Sequence, residues 1–196
     1  MLQKDKKALE LKFLMVLTYS KYNVLKKGDK APEFKLKGTD GKEYSLEGFK
    51  GKNLLIVFMC NHCPYVQPKF DYLNELQEKY KKFLQVIGIN TNSAAVEEDS
   101  FENMKEYAET GNFKFLYLDD NTQKVARSFG AECTPDPFLF DSEHKLVYHG
   151  RFDDAHMYEH KEGNTAEIEE ALQQLIEGKK VLVKEEPSCG CNVKWK

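Results

Sequence analysis

Two apolar patterns follow one another in the first half of the chain. Every residue from Leu54 to Met59 is apolar, which predicts a fully buried strand over residues 53–59. A second near-continuous apolar run, residues 83–90, is typical of a central parallel strand. Between them, apolar residues recur in steps of three and four and predict one face of a helix: Val66, Phe70, Leu73, Leu76, Tyr80 and Phe83. The order predicts a β–α–β unit.

The rest of the pattern predicts a mixed α/β domain around that unit. Two short segments flank a Thr-Asp-Gly turn and predict a hairpin of residues 34–36 and 43–45. We expect one short helix within residues 91–113. Asn164 and Glu167 predict a capping box at the start of the last helix. The further predicted elements are the strands 114–118, 138–141 and 145–148 and the helices 121–130 and 165–177.

Length and organisation fit one domain with a segment at each end. A chain of 196 residues can bury roughly 70% of its unfolded surface without disulfides. We expect an N-terminal extension over residues 1–24, a central domain over residues 25–178 and a tail with a Cys-x-Cys motif over residues 179–196. The apolar stretch 8–17 contains charged residues and precedes no small-residue cleavage site, so we expect a cytoplasmic protein.

Charge narrows the class of partner. The formal net charge is −3, and lysines and acids alternate along the chain instead of forming blocks. This distribution argues against nucleic acid and anionic membranes as partners.

Two cysteines separated by two residues follow directly on the first apolar strand. They stand in Cys60-Asn61-His62-Cys63-Pro64, and a helix is predicted after them. At such a junction, the unpaired N–H groups and the positive end of the helix stabilise a thiolate. Because cytosolic thiols are normally kept reduced, the pair indicates a redox dithiol. Half of a zinc site and two core cysteines are the alternatives.

Two prolines complete a resemblance to a known group. Pro68 lies five residues after Cys63, and Cys133-Thr134-Pro135-Asp136-Pro137 leads into an apolar strand. Residues 25–196 thereby resemble the thioredoxin-like superfamily, and within it the redoxin group related to alkyl hydroperoxide reductase and thiol-specific antioxidant proteins. The resemblance implies a thioredoxin-like α/β fold with a central mixed β-sheet flanked by helices, an N-terminal β-hairpin and an inserted helix. It also implies that Pro68 kinks the active-site helix and that Pro135 is a cis-proline facing the dithiol.

The same resemblance implies a thiol–disulfide oxidoreductase. We therefore expect disulfide-containing proteins or small thiols as substrates, a thiol electron donor that the sequence does not identify, and no cofactor. Cys60, exposed at the helix start, is then expected to attack a target disulfide as a thiolate, and the more buried Cys63 to resolve the mixed disulfide. His62 is expected to stabilise the Cys60 thiolate when protonated. A target segment in extended conformation would pair with backbone at the groove floor. The residues expected to shape that groove are Thr134, Pro135 and Pro64.

The sequence departs from thioredoxin at one position. The buried carboxylate that thioredoxin carries six residues before its first cysteine falls on Leu54 here. The acceptor for the Cys63 proton is therefore open among a water molecule, a group of the tail and a group of the insertion.

A peroxiredoxin-like thiol peroxidase with Cys60 as its reactive cysteine is the alternative activity. Peroxiredoxins place Pro and Thr or Ser seven and three residues before that cysteine, and these positions are Asn53 and Val57 when counted from Cys60. When counted from Cys63, these positions are Ile56 and Cys60. Neither cysteine is therefore preceded by the Pro and the Thr or Ser of the peroxiredoxin pattern. The missing hydroxyl favours disulfide exchange.

The remaining cysteines and histidines leave further alternatives. Cys189 and Cys191 are expected either to form a second redox pair that exchanges with the first or to pack as structure beside Trp195. A non-enzymatic alternative has Cys60, Cys63, Cys189 and Cys191 bind zinc or an iron–sulfur cluster. Cys133 is expected to pack as a small hydrophobic residue. A solvated loop without metal is expected for His149, Asp153, Asp154, His156 and His160.

Overall fold

The computed structural model describes residues 17–196. The apolar stretch 8–17 lies almost wholly outside the described residues, as does most of the predicted extension 1–24. The strands are β1 (Leu17–Tyr19), β2 (Lys35–Gly38), β3 (Glu43–Ser45), β4 (Asn53–Met59), β5 (Leu84–Asn90), β6 (Leu116–Asp119), β7 (Cys133–Thr134), β8 (Asp136–Phe140), β9 (Leu146–His149) and β10 (Cys189–Asn192). The helices are α1 (Phe70–Tyr80), α2 (Phe101–Thr110), α3 (Lys124–Phe129) and α4 (Glu167–Ile176).

The central sheet has seven strands in the order β3-β2-β6-β5-β4-β8-β9. Inside it, β4 pairs parallel to β5 and antiparallel to β8, so the sheet is mixed as predicted. Side chains of β4 alternate between two apolar clusters, with Val57 and Met59 in one and Ile56 and Phe58 in the other. Because both faces are covered, the sequence of β4 is continuously apolar. The predicted hairpin is also confirmed, as β2 and β3.

The helix after β4 begins later than the sequence predicts. Residues 60–66 form bends and turns, Gln67–Lys69 form a 3₁₀ turn that contains Pro68, and α1 begins at Phe70. Proline suits such a first turn because its nitrogen has no hydrogen to donate. The prediction that the positive end of a helix lies directly at the cysteines is therefore wrong.

The short helix predicted within residues 91–113 is α2. Ser100 caps it by accepting a hydrogen bond from the backbone N–H of Asn103, and Met104 is fully buried. Just before this cap, Glu97–Asp99 form a 3₁₀ turn. The turn hydrogen-bonds to Asn61, so the inserted segment reaches the residues that follow β4.

The last helix lacks the capping box that Asn164 and Glu167 predict. Its N-cap residue is Ala166, which makes no side-chain hydrogen bond. The side chain of Asn164 donates to Asp154, while Glu167 accepts a hydrogen bond from Arg151 Nε at 2.8 Å. A nearby guanidinium thus takes the carboxylate that the sequence pattern assigns to the cap.

The tail contains a strand, β10, that is not among the elements predicted from the sequence. β10 lies between β1 and β7 in a separate three-stranded antiparallel sheet. Cys191 is opposite Thr134 in its register with β7, and opposite Leu17 in its register with β1. The tail is therefore bound to the strand that precedes Pro135. None of the helices formed by residues 17–196 combines the length and the apolar character needed to cross a membrane.

Candidate active site

Cys60 and Cys63 lie at the carboxyl end of β4 and face the segment around Pro135. The Sγ of Cys60 is 3.6 Å from Oγ1 of Thr134, and the Sγ of Cys63 is 3.2 Å from the Thr134 carbonyl oxygen. The Thr134–Pro135 peptide bond is cis, as the resemblance implies. The structure therefore places both cysteines next to Thr134 and Pro135, as the sequence analysis expects. The expected exposure of Cys60 is wrong, because both cysteines are 0% exposed.

The backbone N–H groups of this turn bind a carboxylate instead of a cysteine sulfur. Oδ1 of Asp99 accepts hydrogen bonds from the backbone of Asn61 at 2.8 Å and of His62 at 3.2 Å. The side chain of Asn61 is fixed in turn by the Tyr117 hydroxyl, which donates to its Oδ1 at 2.8 Å. Asp99 is fully buried, so its charge acts on this site with little screening by solvent.

His62 is paired with the same carboxylate. Its Nδ1 is 2.7 Å from Oδ2 of Asp99, and this hydrogen bond raises the pKa of His62 although partial burial opposes the shift. The ligand atoms of Cys60, His62 and Asp99 all lie within 4.8 Å of one another. These three residues are the group among the described residues that could hold a metal ion. The role of His62 as stabiliser of the Cys60 thiolate stays a prediction.

The pKa values of the two cysteines are shifted in opposite directions. A hydrogen bond with Cys63, burial and the negative charge of Asp99 together raise the pKa of Cys60. Burial also acts to raise the pKa of Cys63, but several hydrogen bonds outweigh it and hold that pKa well below its ordinary value. Those bonds come from Cys191, Cys60 and Thr134. The lower pKa of the pair is thus that of Cys63, and the sequence assignment of Cys60 as the attacking thiolate stays a prediction.

The tail covers the edge that the sequence assigns to a target segment. Through the β7–β10 pairing, Cys191 lies beside Thr134, whose Oγ1 donates to the Cys191 carbonyl oxygen at 3.5 Å. Both the thiol and the backbone of Cys191 contribute to the lowered pKa of Cys63. The bond to Cys63, together with burial, raises the pKa of Cys191. In this structure the groove floor at Thr134 thus pairs with the protein's own chain.

Cys189 faces a different partner. Its Sγ is 3.1 Å from Nδ1 of His156, and it lines an open cleft of about 550 Å³ with Tyr65 and Arg151. Burial raises the pKa of this half-buried thiol. Strand β10 therefore directs Cys191 to the dithiol and Cys189 to the cleft. The proposed four-cysteine metal site would need all four sulfurs together, which this arrangement does not give.

The other candidate residues have structural partners. Pro64 is half-buried directly after Cys63, and Cys133 is fully buried as predicted, with Ser20 at 3.8 Å. The expectation of a solvated loop is wrong for two residues: His149 is buried against Asp136, and Asp153 is buried against Lys69. Local sequence showed the loop's polarity but not the tertiary partners that bury these groups.

Sequence reasoning missed Asp99 as an individual residue. It stands in a short acidic run, Glu97-Glu98-Asp99, which by itself is typical of a solvated turn. One signal in the sequence could have led to it: the buried carboxylate of thioredoxin is replaced by Leu54, so another group had to take its place. The insertion and the tail were among the possible sources of that group. The structure places a group from each source at the site: Asp99 beside Cys60 and Cys191 beside Cys63.

Known proteins resemble the chain over most of its length. The sequence profile of the family described as Redoxin matches residues 26–172. The thiol-disulfide oxidoreductase ResA of Bacillus cereus is 28% identical over 130 residues, which cover 66% of this chain and 72% of that protein. An uncharacterized conserved protein from Geobacillus kaustophilus superposes with a TM-score of 0.83 at 40% identity, covering 92% of this chain and 96% of its own. The thioredoxin Etrx1 of Streptococcus pneumoniae shows the fold alone, with a TM-score of 0.58 at 22% identity over 74% of this chain and 99% of its own. The predicted thioredoxin-like fold is confirmed.

Proposed function

Because this chain belongs to the Redoxin family and is a thiol–disulfide oxidoreductase, we propose that Cys60 and Cys63 are the dithiol with which it exchanges disulfides. The observation that carries this assignment is the convergence of both sulfurs on Thr134, directly before Pro135. Protein disulfides or small thiols are the proposed substrates, with a separate thiol as electron donor. We propose the cytoplasm as the compartment, because thiols are kept reduced there.

The opposite pKa shifts of the two cysteines support different roles for them, attack by Cys63 and resolution by Cys60. In this proposal the Cys63 thiolate attacks one sulfur of a target disulfide, which forms a mixed disulfide and releases the other sulfur as a thiolate. The Cys60 thiol then loses its proton and attacks the Cys63 sulfur. That step releases the second target thiol and forms the Cys60–Cys63 disulfide, so the target gains two electrons and the dithiol loses two.

Asp99 and His62 are the proposed proton acceptor for Cys60, whereas the acceptor that the sequence left open is one for Cys63. They lie beside Cys60, the cysteine that must lose its proton in the second step. His62 in its neutral form can take that proton, and its hydrogen bond to Asp99 at 2.7 Å stabilises the resulting imidazolium. The pair thus gives the fully buried Cys60 a local base.

Access to the dithiol requires the tail to move. Both sulfurs are fully buried, and β10 occupies the backbone edge of Thr134. A target segment that pairs with the same edge must displace β10, since one strand edge binds one strand. Disulfide exchange with protein targets is therefore coupled in this proposal to release of residues 189–192.

Reduction of insulin disulfides tests the assignment. Cys63→Ser should lose insulin reduction, because it removes the attacking thiolate. Cys60→Ser/Cys191→Ser should lose it as well, because it removes both thiols that act on Cys63, and one thiol cannot both attack and resolve. Cys133→Ser is the matched control: it removes a buried thiol from the neighbouring strand and should keep the activity, provided that thermal unfolding shows a native fold. Full activity in either Cys63→Ser or Cys60→Ser/Cys191→Ser would overturn the proposed dithiol.

A further inference from the structure

Cys63 lies at Thr134, near two further thiols. One is Cys60, its partner in the proposed dithiol, and the other is Cys191 of the tail, which strand β10 holds opposite Thr134. Thr134 joins the three residues: it contacts the sulfurs of Cys60 and Cys63 and hydrogen-bonds to the backbone of Cys191. Cys191 is itself buried. Any thiol or disulfide from solution has to pass β10 to reach Cys63, whereas Cys191 is already in place.

The tail is built to hold Cys191 there. Gly190 lies so close to Thr134 that a Cβ at residue 190 would overlap the Thr134 carbonyl oxygen. Only glycine permits this approach without displacement of one backbone. Ser188 Oγ donates to the Pro135 carbonyl oxygen at 2.6 Å, and Val193 N–H donates to the Glu132 carbonyl oxygen at 3.1 Å. The strand is thus fixed on both sides of Cys191.

We propose that Cys191 is a third redox thiol of this site, which forms a disulfide with Cys63 in exchange for the Cys60–Cys63 disulfide. The inference rests on the proposed function, because it takes Cys60–Cys63 as the primary pair. Cys191 attacks the Cys63 sulfur, the Cys60–Cys63 bond breaks, and Cys60 leaves as a thiolate that takes up the proton lost by Cys191. One disulfide replaces another, so the step needs no external oxidant.

The exchange changes what the tail does. A Cys63–Cys191 disulfide joins β10 covalently to the site and keeps the groove at Thr134 closed until the electron donor reduces it. Oxidised protein would then be unable to bind a further target, while reduced protein can release the tail. This arrangement replaces the expected pairing of Cys189 with Cys191, whose sulfurs face different partners.

Disulfide mapping tests the proposal. Cleavage after lysine places Cys60 and Cys63 in the peptide 53–69 and both tail cysteines in the peptide 185–194, so variants must separate the tail thiols. Reduced Cys60→Ser/Cys189→Ser and Cys60→Ser/Cys191→Ser proteins are oxidised with diamide, alkylated after denaturation, digested and analysed by mass spectrometry. Monomeric Cys60→Ser/Cys189→Ser protein should contain peptides 53–69 and 185–194 joined by a disulfide. Cys60→Ser/Cys191→Ser protein should lack that cross-link. Thermal unfolding checks that both variants fold.

Wild-type protein oxidised in the same way should give both the disulfide within peptide 53–69 and the cross-link to peptide 185–194. Two results would overturn the role of Cys191. One is that Cys191 is alkylated and not cross-linked in Cys60→Ser/Cys189→Ser, and the other is that both variants give the cross-link equally. If wild-type protein reduces insulin normally but gives no cross-link, this inference is wrong and the proposed function is unaffected. If wild-type protein gives the cross-link but cannot reduce insulin, the proposed function is wrong.

Discussion

His62 and Asp99 form a hydrogen bond of 2.7 Å between Nδ1 and Oδ2, with the carboxylate fully buried and the imidazole partly exposed. The same carboxylate binds two backbone N–H groups of the turn that carries the cysteines. A group from the insertion therefore sets both the conformation of this turn and the charge beside Cys60.

Replacement of Asp99 by Asn should lower the pKa of His62. The Asp99 hydrogen bond is the largest cause of the raised value, and an amide lacks the negative charge that stabilises the imidazolium. NMR titration of the imidazole resonances measures the change, which should move the His62 midpoint toward about 6.5. The resonances of His144, which is bonded to the Phe49 carbonyl, provide the internal control. An unmoved His62 midpoint would contradict the pairing.

The raised pKa of His62 should also appear in the pH dependence of stability. A group with a higher pKa in the folded state contributes stability that is fully present below its unfolded pKa and is lost as the pH rises through the folded value. The difference in unfolding free energy between wild type and His62→Gln should therefore be largest near about pH 5 and smallest near about pH 9. Urea denaturation at several pH values measures it. A difference that grows with pH would have the wrong sign.

The cysteine that attacks should be Cys63. With Cys60→Ser/Cys191→Ser, the attacking Cys63 thiolate has neither neighbouring thiol to resolve the mixed disulfide, so mixed disulfides with a target should accumulate. Cys63→Ser should trap far less, because Asp99 and burial disfavour the Cys60 thiolate. Non-reducing gels with a disulfide-containing substrate separate the outcomes. Trapping by Cys63→Ser alone would restore Cys60 as the attacking residue, in agreement with the sequence prediction.

Gly190→Ala should uncover the dithiol. The added methyl group overlaps the Thr134 carbonyl oxygen, and overpacking of this kind typically costs about 1–3 kcal/mol. Since each 1.4 kcal/mol is about tenfold in an equilibrium constant, alkylation of Cys63 in the native reduced protein should become about tenfold faster or more. Gly48→Ala is the matched control, because a Cβ there meets no atom within 4 Å. Equal alkylation rates in the two variants would argue against a tail that shields the site.

The buried pair Lys69–Asp153 should matter for stability. Lys69 Nζ is 2.8 Å from Asp153 Oδ1 and donates to the Tyr158 carbonyl oxygen at 2.9 Å. Asp153→Ala leaves a buried ammonium without its partner, which typically costs about 3–5 kcal/mol. The exposed pair of Lys81 with Glu78 is the comparison, and Glu78→Ala should cost about 1 kcal/mol or less. Urea denaturation of both variants checks the contrast.

The parts of the fold that the sequence predicts well are those with a regular local pattern. β4 and β5 are continuous apolar runs, and the face of α1 repeats every three or four residues, so burial is visible in the sequence itself. The helix start was misplaced because the turns over residues 60–66 and the 3₁₀ turn at Pro68 carry some of the same apolar residues as the helix. Periodicity alone does not distinguish these conformations.

The site was predictable only where its residues belong to a local motif. Cys60, Cys63 and Pro135 could be placed from spacing, but Asp99 reaches the turn across 37 positions of sequence. β10 is a four-residue strand with glycine at its second position, and its pairing with β7 depends on a close backbone approach. Such contacts are set by tertiary structure, which is why Asp99 was not assigned from the sequence, and why Cys191 was expected in a redox pair with Cys189 or as packing beside Trp195.

The position of β10 in the chain also has a consequence during biosynthesis. Translation runs from the amino to the carboxyl end, and domains generally fold as they emerge. Every residue of the central sheet, through β9, precedes residues 189–192. A nascent chain therefore presents Cys60 and Cys63 to cellular thiols and oxidants before the segment that shields them has left the ribosome. The newly made protein passes once through this uncovered state. The mature fold returns to it only by releasing its tail.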